Sequence, residues 1–114
     1  MIHIEVYKDQ HNNIVKFKIY GHSGYSKIGS DIVCAAVSSV SQTAVLGLTD
    51  VLNIQIGLEI EDSKKGSYLE CILPEHLDSN TREKANVILE TMYLGLKNFK
   101  NQYGQYIRIL EQEV

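Results

Sequence analysis

The spacing between apolar residues changes period along this chain, and that change constrains its architecture more than any other feature. Ile2, Ile4 and Val6 alternate with His3, Glu5 and Tyr7. After the turn-forming run Asp9-Gln10-His11-Asn12-Asn13, Val15, Phe17 and Ile19 alternate with Lys16, Lys18 and Tyr20. A period of two sends successive side chains to opposite faces, so these runs predict the two strands of a hairpin. From Asp31 the step lengthens to three and four, through Val33, Val37, Val40, Ala44, Leu48 and Val51, which predicts a helix capped by Ser30 or Asp31. Alternation returns at Ile56, Leu58 and Ile60; Lys64-Lys65-Gly66-Ser67 supplies a turn, and Tyr68 to Leu73 runs back as a strand closed by Pro74. Asn80 with Glu83 forms a capping-box start for a second helix through Ala85, Ile88, Leu89, Met92, Leu96, Phe99 and Tyr103. Gly104 ends it, and Tyr106 to Leu110 reads as a last strand. The order β-β-α-β-β-α-β predicts an α+β fold, two helices packed with a largely antiparallel sheet.

Within 114 residues, with one proline and no polar low-complexity run, there is room for one core, so residues 1–114 are expected to form a single domain. A domain this small buries only roughly two thirds of its unfolded surface, which leaves self-association a useful source of stability. The formal net charge of -3 and the lack of a basic stripe argue against direct nucleic-acid binding. The alternating N-terminus does not read as a secretory signal, so a cytoplasmic location is expected. Residues 32–49 carry no charge, but Ser38, Ser39, Ser41, Gln42, Thr43 and Thr49 make the stretch too polar for a membrane span, and a buried helix is expected instead.

Two cysteines, Cys34 and Cys71, occur without a CxxC or a Cys/His cluster at ligand spacing, so neither a disulfide framework nor a metal site is expected. Cys34 falls three positions after Asp31, which places it in the first turn of the predicted helix. Unpaired N–H groups there favour a thiolate and could receive an oxyanion. The alternative is a small buried core residue. Cys71 lies within a strand and reads as packing. His22 precedes Cys34 by twelve positions, across the loop Gly21-His22-Ser23-Gly24-Tyr25-Ser26-Lys27-Ile28-Gly29-Ser30, which can bend imidazole back to thiol; taken alone it also fits an exposed turn histidine. Asp31 can cap the helix or orient His22, and Ser38, one turn beyond Cys34, can contact a substrate or permit close packing. His3, His11 and His76 have no comparable neighbours in sequence.

The run Gly21-His22-Ser23-Gly24-Tyr25, followed by Gly29-Ser30-Asp31-Ile32-Val33-Cys34-Ala35-Ala36-Val37-Ser38, resembles the ribosomal-processing cysteine proteases of bacteria in motif, spacing and chain length. The later half matches mainly in the order of its elements. The resemblance implies a cysteine endopeptidase that removes a short N-terminal extension from the large-subunit ribosomal protein numbered twenty-seven, after an apolar, aromatic-containing segment. It implies Cys34 as nucleophile, His22 as general base, and Gly21, Asp31 and Ser38 in support or in contact with substrate. It also implies a homodimer, a glycine-bearing loop that moves when substrate binds, and no cofactor. The competing readings are a non-catalytic ribosome-assembly factor or homodimeric binding module, and a different thiol enzyme such as an acyltransferase.

Overall fold

The two alternating N-terminal runs pair as an antiparallel hairpin, β1 (Ile2–Lys8) and β2 (Ile14–Gly21), in a computed structural model that describes residues 1–21, 28–63 and 66–114, with residues 28–31 by their backbone. The Asp9 carboxylate closes the turn by accepting from the backbone N–H groups of His11 and Asn13, both at 2.9 Å, and Asn12 takes the left-handed conformation (φ 65°). Register slips between Tyr7, which faces Lys16, and Lys8, which faces Ile14. Val15 is therefore the extra residue of a bulge, and Ile14 is the side chain that enters the core where strict alternation predicted Val15.

β3 (Gly57–Ser63) and β4 (Gly66–Ile72) form the second antiparallel hairpin, and β5 (Ile107–Glu113) closes the sheet beside β1. The strand order is β3-β4-β2-β1-β5, antiparallel throughout except for the parallel β1–β5 pair. This is the α+β arrangement that the periodicity predicts. Ile2, Ile4, Val6, Phe17, Ile19, Leu69, Cys71 and Ile107 point to one face and join the buried side chains of both helices in a single cluster. The opposite face is polar and self-satisfied: the Tyr7 and Tyr20 hydroxyls donate to the Glu5 carboxylate, and the Lys16 and Lys18 ammonium groups lie 3.7 Å from Glu70.

Helix α1 (Ile28–Leu46) begins earlier than Asp31, running through Gly29 and Ser30, residues of poor helix propensity. Burial of Val33, Val37, Ala44 and Val45 supplies the stabilisation that local preference lacks. A widened π-helical turn, Gly47–Val51, follows, with Leu52 N–H donating to Gly47 C=O at 3.0 Å. The extra residue in the turn keeps Leu48 buried but rotates Val51 off the core face, leaving it 72% exposed where 3.6 periodicity placed it inside. Gly47 brings α1 close to α2: a Cβ there would stand 3.1 Å from Ile88 Cδ1.

Helix α2 (Ser79–Gln102) lies against α1 and buries Ala85, Leu89, Met92, Tyr93 and Leu96 in the core. Its cap is Asp78, whose side chain accepts from Thr81 N–H at 3.1 Å, rather than the predicted Asn80–Glu83 box. On α2, Tyr93 is the core residue that periodicity missed. Its ring is buried while its hydroxyl reaches Glu111 at 3.2 Å, so a polar tip disguises a core side chain.

Candidate active site

Helical spacing sets what surrounds Cys34. Val33 and Val37 anchor the same helix in the core, each 1% exposed, and Cys34 beside them is half-buried at the border of that core. One turn later Ser38 occupies the same border. Cys34 and Ser38 share a crevice with Ile2, Ile19, Gly21 and Ser67, where the ends of β2 and β4 meet α1. The pairings Ile2 with Gly21 and Gly21 with Ser67 align these three residues in one row across the sheet, directly beneath the thiol-bearing turn.

Gly21 holds that row together. Its φ is +152°, and a Cβ there would collide with the carbonyl oxygen of Met1 and stand 3.0 Å from Ile2 Cα. Both obstacles are backbone of the neighbouring strand, so no side-chain rotation relieves them. Any residue but glycine would pry β1 from β2 at the wall of the crevice.

The early start of α1 corrects the placement of Cys34 in the first turn. It is the seventh residue of the helix, beyond the N–H groups at positions 28–31 that lack an intrahelical acceptor. The helix dipole acts mainly within its first turn, so the helix terminus is not positioned to ionise Cys34 or to offer Cys34's own N–H to an oxyanion. His22, the base expected from sequence, lies outside the described residues, as does the side chain of Asp31, whose backbone belongs to α1. Gly21, Cys34 and Ser38 are brought together.

Cys71 shows the contrasting environment. Its thiol is fully buried beneath the sheet, and burial pushes its pKa up to about 12. His3, on the polar face of the sheet, stacks on Tyr20 with ring centroids 5.0 Å apart. Among the described residues no group of His, Cys, Asp or Glu is arranged to hold a metal ion. The crevice residues that sequence reasoning missed are Ile2, Ile19 and Ser67. They read there as strand and turn, and only cross-strand register brings them to Cys34.

The family model for the cysteine protease Prp matches residues 1–108. The chain belongs to the Prp family of cysteine proteases. Similar Prp relatives include the ribosomal processing cysteine protease Prp of Bacillus subtilis, 28% identical over 111 residues and 96% of each chain. Its counterpart in Staphylococcus aureus is 27% identical over 112 residues, 96% of this chain and 97% of the relative. Among solved structures, SMU.848 of Streptococcus mutans superposes with a TM-score of 0.86 at 24% identity, covering 100% of this chain and 96% of that one. The S. aureus Prp in complex with a substrate peptide gives 0.77 at 22% identity, covering 97% and 99%. These two likenesses establish the Prp fold for all described elements. Of the two thiols in this Prp-family chain, only Cys34 is partly exposed and set in a crevice.

Proposed function

We propose that this chain is an endopeptidase that removes the N-terminal extension of a large-subunit ribosomal protein, number twenty-seven, during ribosome maturation, with Cys34 as nucleophile and His22 as general base. The observation that carries this reading is the position of Cys34, half-buried in a crevice whose wall includes Gly21. His22 is bonded directly to Gly21, so the general base of this reading follows the crevice wall in the chain. Relatives named as ribosomal processing proteases, and an S. aureus Prp crystallised with a covalently linked product peptide, support the same reaction class.

In this mechanism the imidazole of His22 takes the Cys34 thiol proton, and the thiolate attacks the scissile carbonyl carbon. The tetrahedral intermediate collapses with cleavage of the C–N bond, and the imidazolium returns its proton to the departing amine. Water, deprotonated by the same imidazole, then hydrolyses the thioester. Asp31 is suited to orient His22, and Ser38 to contact the peptide beside the thiol. The enzyme works as a cytoplasmic homodimer in this reading. Val40, Val51, Val87 and Ile88 line an apolar groove of about 580 Å3 between the two helices that suits a subunit contact.

The test is incubation with a peptide spanning the extension, followed by mass spectrometry. One cut is expected with the wild type, and a loss of at least roughly a thousandfold in each of His22→Ala and Cys34→Ala. Cleavage by Cys34→Ala at the wild-type rate would refute the assignment and favour a binding or assembly role.

A further inference from the structure

β3 is a sheet edge that the helical layer fails to cover. Cross-strand register places Leu58 opposite Cys71 and Ile60 opposite Leu69, so both aliphatic side chains lie on the helix-facing side of the sheet with two buried partners. Leu58 and Ile60 themselves remain 44% and 55% exposed. A groove of about 110 Å3 runs between Ile60 and the Ser38, Ser41 and Gln42 side of α1. That volume suits a single side chain, since small-molecule pockets commonly reach ~300–1,000 Å3. Ile19, Ser38 and Ser67 line both this groove and the crevice of Cys34, so the two adjoin.

From this adjacency we infer that the α1–β3 groove is the specificity channel for one side of the scissile bond, seating one aliphatic or aromatic side chain of an extended peptide beside Ile60 and passing the next alternate one onto Leu58, which lies outside the groove farther along β3. The inference rests on the protease reading above and adds the residues that select the substrate. Spacing supports it. Residues two apart on a strand repeat every ~6.6 Å, and so do alternate side chains of an extended peptide, so Ile60 and Leu58 can be engaged together. One turn of α1, from Cys34 to Ser38, advances about 6 Å, nearly the same step. The peptide therefore keeps pace with helix and strand as it runs away from the thiol. A second copy of this chain is a poorer occupant, because two isolated side chains fall well short of the ~800 Å2 per partner that a stable interface buries.

The probe is a fluorescein-labelled octapeptide alternating leucine and asparagine, titrated by anisotropy into the Cys34→Ala variant so that binding is read without cleavage. Saturable binding is expected, weakened at least tenfold by adding either Ile60→Asp or Leu58→Asp. A serine–asparagine octapeptide should fail to bind. Both positions are already solvent-facing, and melting temperatures within a few degrees of the parent show that folding is kept. Unchanged affinity in Ile60→Asp, or no binding by the parent, would overturn the inference. So would Ile60→Asp dissociating a dimer, seen by sedimentation, while peptide affinity stays the same. Ile60-dependent binding accompanied by a wild type that cleaves no extension peptide would instead count against the protease reading and leave the groove standing.

Discussion

Treatment of the native protein with dithiobis(nitrobenzoate) at about pH 7.5 should titrate one thiol quickly and the second only after unfolding. The separation follows from burial. A thiol of ordinary acidity, near ~8.5, is roughly a tenth ionised at that pH, whereas only about 0.003% of a thiol at about 12, as at Cys71, is thiolate. The ratio is about 3,000-fold. A more basic thiolate is intrinsically the better nucleophile, and a Brønsted slope of ~0.4–0.5 returns about thirtyfold of that difference. Ionisation alone thus leaves Cys71 roughly a hundredfold slower than an ordinary exposed thiol. The core above its fully buried side chain must also open before reagent can enter, which slows it further. Stopped absorbance traces with peptide mapping of the modified protein should locate the fast label on Cys34. Peptidase activity should disappear in step with that phase, and Cys34→Ser should remove it. Native labelling of the two cysteines within tenfold of each other, or a fast phase that survives Cys34→Ser, would refute the claim that burial separates a reactive thiol from an inert one.

Gly21→Ala should lower stability by ~2 kcal/mol or more, because the new methyl meets backbone of β1 at a positive φ. Calorimetry should show a melting temperature roughly 5–10 °C lower, with peptidase activity reduced at temperatures where the variant is still folded; an unchanged melting temperature would contradict the collision. The second prediction concerns acid stability. Hydrogen bonds from Tyr20 and then Tyr7 hold the Glu5 carboxyl below its ordinary value of 4.5, so its contribution is present above that value and is lost as pH falls through the folded-state pKa. Tyr20→Phe should therefore melt below wild type at neutral pH, with the gap closing as pH falls below 4.5 and through the folded-state pKa, and a gap that widens in acid would reverse the assigned sign.

The grouping of Gly21, Cys34 and Ser38 around one crevice was readable from residue order, and the reason is local. Gly21 ends an alternating run, and Cys34 and Ser38 are separated by one helical turn, so short-range spacing already associates them. What spacing misjudged was energetics. Gly29 and Ser30 disfavour a helix, yet α1 extends through them because Val33 and Val37 are buried further along. That extension moved the helix terminus away from Cys34, which lies beyond the first turn.

Hydrophobic period by itself determined the seven elements and their order, since each face must find burial whatever its neighbours are. Strand order, the parallel β1–β5 pairing and the reach of the helical layer were decided only in three dimensions, because they depend on which surfaces compete for the same cover. Leu58 and Ile60 carry the same alternating signal as Ile2 and Ile4. The first pair stays exposed and the second is buried because β3 sits at the sheet edge beyond the helices and β1 lies beneath them.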